Sequence, residues 1–315
     1  MGNMENYIKR KFGVDTETFL HVLQMSPGAD GYILGSLSEL LFKEYAEKLG
    51  YEVYRIKEKP KGGYNAKSDD ARGDFYIRKK GNPKNEWFVI ENKSVKSNAE
   101  KRVNLTNKKS CLTLLNKHAI IRKKHIKSIY DSGFNNYEKS KEKFEKKNPK
   151  LKFPKFNWSK ENPGAGIPDL SNLWKSKDEI EDWLNTFDDD LFTDISYRDL
   201  KAPLRLIQTH MPSSRTDKLG IKSTGPLKTE FNILCLDLFL RTGKHEFVFA
   251  NSQQLNHQAK SPNHLQQNYT IDILTEKEGF KRHKLLFPWY DNLEECINAT
   301  KPKPRKKDKS QLDER

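Results

Sequence analysis

Hydrophobic residues recur along the first third of the chain with two different periods. Between residues 3 and 25 two short runs keep helical spacing, and Asp15 stands where a side chain would cap the second. "SPGADGYILGSLSELLFKEYAEKLG" then predicts a longer helix ending at Gly50, with Ile33, Leu37, Leu40, Leu41, Tyr45 and Leu49 at helical spacing. After Gly50 the pattern changes. "YEVYRI" reads as a strand, residues 60–72 as a polar, glycine-bearing loop, and "DFYIRK" and "EWFVIENK" as two strands joined by the turn "KGNPKN".

Beyond this opening, Asn98 to Lys147 is helical in pattern and basic, with "LTLLNKHAIIRKKHIKSIY" as its packed part. Residues 148–175, rich in Pro, Asn and Gly, predict an irregular connection, and "KDEIEDWLNTFDDDLFTD" begins as a helix. "EFNILCLDLFLR", "HEFVFAN" and "NYTIDIL" are strand-like by composition. The expected fold class is α/β: a mixed central β-sheet flanked by helices, with a C-terminal extension.

Composition sharpens the picture. Of 315 residues 35% are hydrophobic and 32% charged, which predicts a folded body with long solvated segments, and 11% aromatics argue against a wholly disordered chain. The net charge of +15 is concentrated. Lys93 to Lys155 holds 19 basic and 5 acidic residues and Lys301 to Arg315 holds 7 and 3, leaving the remainder slightly negative. A positive segment beside a near-neutral body suits a polyanion partner. Cys111, Cys235 and Cys296 form no paired-ligand spacing, so neither a disulfide framework nor a thiolate zinc site is expected. The first residues lack an apolar signal core, Asn6 interrupts a myristoylation pattern, and the most apolar run contains Asp237. A soluble, cytoplasmic protein is expected.

The candidate chemistry lies in "GDFYIRKKGNPKNEWFVIENK". Alternation along a strand puts Trp87, Val89, Glu91 and Lys93 on one face, with Glu91 and Lys93 about 7 Å apart at their backbones. A hairpin can bring Asp74 beside Glu91, giving two carboxylates able to bind Mg²⁺, with Lys93 one step along to orient a water or steady negative charge. Glu-x-Lys occurs twice, at Glu91 and at Glu145, and only the first ends an aromatic and β-branched strand.

Gly73-Asp74, sixteen residues, then Glu91-Asn92-Lys93 resembles the PD-(D/E)XK nuclease superfamily and, within it, the type II restriction endonucleases. The resemblance covers residues 28–95. Gly73 replaces the proline of the motif, and Asn92 occupies a position usually apolar in the family. It implies a Mg²⁺-dependent, sequence-specific double-stranded DNA endonuclease of a restriction-modification system, leaving 5′-phosphate and 3′-hydroxyl ends. Asp74 and Glu91 would bind metal, Lys93 would position or activate water, and an acid from the preceding helix would assist. Glu39 is favoured for that acid and Glu44 is the alternative. A homodimer matched to a palindrome and a cognate DNA methyltransferase would be its partners. The implied organisation is one nuclease domain over 1–300, with a catalytic core at about 28–130 and specificity elements at about 150–300, followed by a basic disordered tail over 301–315. The alternatives are a repair or structure-specific nuclease and a non-catalytic nucleic-acid-binding protein.

Lys96, Arg102, Arg122 and Lys123 are expected to hold the phosphate backbone, and His210, Arg215, Gln266 and Asn268 to contact DNA in the groove. Asp69 and Asp70 read as a loop without a metal role. The histidines lack zinc spacing, and no phosphate-cradling Gly-Lys-Ser/Thr loop is present.

Overall fold

The chain opens with three helices, α1 (Gly2–Phe12), α2 (Thr16–Met25) and α3 (Pro27–Lys48). This computed structural model describes residues 2–57, 72–95, 105–156, 169–211, 213–258, 261–278, 285 and 288–313. Asp15 caps α2, accepting the Thr18 N–H at 2.7 Å and so satisfying a donor of the first turn. Past the end of α3, Gly50 takes φ +82°, a left-handed geometry that costs glycine little. The buried side of α3 follows only the later half of the stripe its apolar spacing suggests, where Leu41, Tyr45 and Leu49 pack against the core. Ile33, Leu37 and Leu40 are exposed, while Ser38, Phe42 and Ala46 at four-residue steps are buried. Only the half of α3 from Ser38 onward lies against the sheet.

Next come β1 (Tyr51–Arg55), β2 (Phe75–Lys79) and β3 (Phe88–Ser94), then α4 (Lys108–Asn116), which passes through a π turn at Lys117–Ile121 into α5 (Arg122–Lys147). The chain continues through α6 (Lys177–Asn185), α7 (Asp194–Arg198), β4 (Leu204–His210), β5 (Ser214–Thr216), β6 (Lys222–Thr224), β7 (Ile233–Asp237), α8 (Phe239–Thr242) and β8 (Phe247–Asn251). It closes with β9 (His257–Gln258), β10 (Ser261–Leu265), β11 (Asn268–Thr275) and α9 (Leu293–Thr300).

The central sheet is mixed, ordered β1-β2-β3-β7-β8, with β3 and β7 parallel and every other pair antiparallel. On one side Phe75, Ile77, Ile90, Cys235 and Phe249 pack with Phe42 of α3 and Leu293 of α9. On the other side Tyr76, Val89, Leu234, Leu236 and Val248 pack against Ile207 and Ile271 of the β4–β11 ribbon. The ribbon buries its far side, through Leu204, Leu206 and Ile273, against α4, α6 and α7. Adjacent residues of β3 thus serve two cores, as a strand buried on both faces requires. No helix among the described residues is long and apolar enough to cross a membrane.

Two sequence boundaries need correction. A core closed at residue 130 would lack β7 and β8, which supply two of the five central strands. Nor is the basic tail disordered through residue 313. Arg305 and Trp87 exchange backbone hydrogen bonds of 2.8 Å, Tyr76 donates to the Gln311 side chain at 2.7 Å, and Leu312 packs against the core. The Lys307 ammonium lies 3.5 Å from the centre of the Tyr54 ring. The tail has no apolar period of its own. It is ordered by the Trp87 backbone, the Tyr54 and Trp87 rings and the open side of β1.

Candidate active site

Antiparallel pairing sets Phe75 opposite Ile90, and one more step of that register sets Asp74 opposite Glu91. The Asp74 N–H donates to the Ile90 carbonyl at 2.7 Å. Asp74 Oδ2 accepts the Asn92 N–H at 2.6 Å, so the carboxylate is fixed across the strand pair from both ends. Tyr76 and Val89 face the ribbon side, and two-residue alternation turns Asp74, Glu91 and Lys93 the same way.

Lys93 joins the carboxylates. Its Nζ lies 2.7 Å from Glu91 Oε1, 3.8 Å from Asp74 Oδ2 and 3.0 Å from the Asn92 carbonyl oxygen. The structure therefore brings Asp74, Glu91 and Lys93 around one point. About a third of the Lys93 side chain is accessible against 13% of Glu91, so the cluster opens to solvent through the lysine. Burial would depress the Lys93 ammonium, but Asp74 and Glu91 outweigh it and hold the group protonated, well above the usual lysine range. Burial pushes the Glu91 carboxyl up to about 8, an effect Lys93 opposes and Asp74 reinforces.

Gly73 has a steric reason. A Cβ there would stand 2.5 Å from the Ile90 carbonyl oxygen and 2.6 Å from Val89 Cγ1. Asn92 faces α3, is buried, and accepts the Ser38 hydroxyl at 3.0 Å. That bond ties the site strand to the helix carrying the candidate acid.

Glu39 is half-buried at the end of that tie, while Glu44 is exposed, so of the two only Glu39 lies at the site. Burial and then the Asp74 carboxylate raise its pKa, against Arg55. Its hydrogen bonds, 2.7 and 3.1 Å, run from Arg55 at the end of β1. Asp74, Glu91 and Lys93 form the cluster, and Glu39 with Arg55 forms an adjoining ion pair.

The donor set fits a hard divalent cation in chemistry. Two carboxyl groups and a carbonyl already surround an ammonium, and Mg²⁺ takes oxygen ligands while keeping several waters. Among the described residues no group of three or more His, Cys, Asp or Glu side chains is arranged to hold a metal. A cation here would complete its shell with water or substrate oxygen.

The expected DNA contacts divide. Arg122 is corrected: it is buried, 3.4 Å from Asp169, because the π turn directs it inward, so it cannot lie on a phosphate. Lys123 is exposed on α5. His210 and Asn268 are cross-strand neighbours, His210 Nδ1 lying 2.8 Å from Asn268 Oδ1. The Gln266 side chain donates to the His257 carbonyl at 3.3 Å. Lys96, Arg102, Asp69 and Asp70 lie outside the described residues.

Arg215 leads to a residue the sequence did not suggest. Its Nε donates to Glu230 Oε1 at 2.7 Å, and Arg72, two residues before Asp74, approaches the same oxygen at 3.3 Å. Glu230, buried, thus links the β5–β6 hairpin to the strand bearing Asp74. A lone Glu before an apolar run carries no signal of this, since its partners lie 15 and 158 residues away. Arg55 carried a weak signal, as a cation ending the strand that follows the acid-bearing helix.

No family model matches the chain, and comparison with curated proteins and with solved structures finds no match.

Proposed function

We propose that this protein is a Mg²⁺-dependent endonuclease that cuts double-stranded DNA at a specific sequence, a type II restriction enzyme of the PD-(D/E)XK kind. The observation that carries the reading is the meeting of Asp74, Glu91 and Lys93 around one point at the solvent boundary of a mixed sheet. Asp74 and Glu91 would hold the cation, which, when bound, lowers the pKa of water and neutralises charge on phosphate. Lys93 is charged, so it serves as a hydrogen-bond donor that orients the attacking water and steadies the phosphate oxygen. Asp74 keeps its place through the Asn92 N–H, and Glu39 with Arg55 adds charge at the edge of the cluster. The lysines of α5 supply phosphate contacts that hold duplex without reading sequence. Products would carry 5′-phosphate and 3′-hydroxyl ends, and a cytoplasmic methyltransferase would protect host DNA.

The test is digestion of long duplex DNA by the pure protein with Mg²⁺. Discrete fragments are expected from wild type, with losses of roughly 10²-fold or more in Asp74→Ala and Lys93→Ala. Undiminished cleavage by either variant defeats the assignment. Preference for branched or damaged substrates would move it to a repair nuclease, and salt-sensitive binding without a product would leave a nucleic-acid-binding protein.

A further inference from the structure

The segment from Arg305 to Asp313 crosses the sheet on the face that carries Asp74, Glu91 and Lys93. It enters beside β3, where Arg305 and Trp87 exchange backbone hydrogen bonds. It passes the Tyr54 and Trp87 rings, whose centres lie 3.5 and 4.2 Å from the Lys307 ammonium. Gln311 then accepts the hydroxyl of Tyr76, the residue that follows Asp74 on its face of β2. The segment finishes along the end of β1. The Lys57 N–H donates to the Gln311 carbonyl at 2.8 Å, and the Asp313 N–H donates to the Arg55 carbonyl at 2.9 Å. Between them the Ile56 N–H donates to the Asp74 carbonyl at 2.8 Å. Residues 55–57 are thus bonded to the tail on one edge and to Asp74 on the other.

The side chains repeat the connection. Arg55 gives Nε and Nη2 to Glu39 Oε2, at 3.1 and 2.7 Å, and turns Nη1 toward Asp313 Oδ2 at 3.7 Å. A guanidinium is a rigid planar fork, so an acid on Nη1 fixes the edge that faces Glu39. Arg55 needs that second hold. Its side chain is 37% exposed, and a long chain released into water regains rotamer entropy. Asp313, with a side chain only 4% exposed, supplies a fixed anchor. We propose that Asp313 is a positioning residue of the active site, holding Arg55 against Glu39 so that Glu39 keeps its place beside Asp74. The Asp74 charge opposes ionisation of Glu39 and Arg55 favours it, so an Arg55 that swings away leaves two acids facing each other at the cluster. The effect on cleavage rests on the nuclease reading, whereas the placement of Arg55 is tested without it.

In the full chain labelled at arginine for NMR, the Arg55 Nε–H resonance, identified by its loss in Arg55→Lys, reads the contact directly. Asp313→Asn should move it, and Asp182→Asn, at an exposed acid of α6, should not. Single-turnover cleavage of duplex DNA with Mg²⁺ should slow by about 10-fold in Asp313→Asn with DNA affinity unchanged, the split expected of displaced chemistry rather than lost binding. Asp313→Glu, which keeps the charge, should recover most of that rate. In a Glu39→Gln background Asp313→Asn should cost nothing more, because its effect runs through Glu39. An unmoved resonance, an unchanged rate, or losses that simply multiply in the double variant overturn the proposal. A moved resonance in a protein that cuts no DNA would uphold the placement of Arg55 and defeat the nuclease reading instead.

Discussion

Gly73→Ala puts the geometry of the candidate site to a quantitative test. The added methyl would meet the Ile90 carbonyl oxygen at 2.5 Å and Val89 Cγ1 at 2.6 Å, both on the neighbouring strand. Relief to an ordinary contact distance requires β2 and β3 to separate locally by roughly 0.8 Å. The 2.7 Å bond from Asp74 N–H to the Ile90 carbonyl would then stretch past useful length, a loss of about 1 kcal/mol. Overpacking of the fully buried Val89 and Ile90 adds about 1–3 kcal/mol. The expected destabilisation is therefore about 2–4 kcal/mol. Asp74 moves with its backbone, and a displacement near 1 Å costs on the order of 10²-fold in rate. Urea unfolding followed by tryptophan emission measures the first quantity and single-turnover cleavage the second. Gly133→Ala is the control, since its methyl would meet only Phe156 at 3.8 Å within α5. There the change should stabilise by about 0.5–1 kcal/mol. If Gly73→Ala matches wild type in both assays, the close approach of these strands, and with it the register that sets Asp74 opposite Glu91, is wrong.

Two further outcomes follow from the charged groups. The folded state holds the Glu91 proton up to about 8, while the ordinary carboxyl value is 4.5. Measured against Glu91→Gln, the wild-type stability is therefore fully present below pH 4.5, declines as pH rises, and is lost above about 8. Parallel melting temperatures of the two proteins from pH 4.5 to 9 would refute the buried, raised carboxyl. Arg122→Ala should destabilise by about 1–3 kcal/mol, through the lost packing of a buried side chain more than through Asp169, which is 36% exposed, while Lys123→Ala should change stability by under about 0.5 kcal/mol. Urea midpoints check both, and an Arg122→Ala protein as stable as wild type would return that residue to the surface.

The helices and strands of residues 3–94 were legible because each is specified locally, by Asp15 as a cap, Gly50 as a stop and a change of hydrophobic period between them. β4 was missed. Its Arg205, Gln208, Thr209 and His210 break the apolar alternation, and the polar side chains of β4 and β11 are covered by elements distant in sequence. The first half of the α3 stripe was misjudged for a related reason, while Leu41, Tyr45 and Leu49 do pack against the core. Apolar residues surround the helix, and which of them are buried depends on where the sheet ends, beyond the reach of helical spacing. Arg122 looked like its lysine neighbours, and only the π turn that rotates it toward Asp169 separates it from them.

Of the candidate site, the sequence by itself determined the acids and the lysine, because alternation along one strand and a glycine before its partner are local facts. Tertiary structure decided what surrounds them. Glu39 belongs there and Glu44 does not because α3 docks through Ser38 and Phe42. Arg55, Glu230 and the ordered tail enter through contacts between residues far apart in the chain. Hydrogen-bond periodicity is written into consecutive residues, whereas burial and charge pairing arise only when separate elements meet, and that difference divides what the sequence told from what it could not.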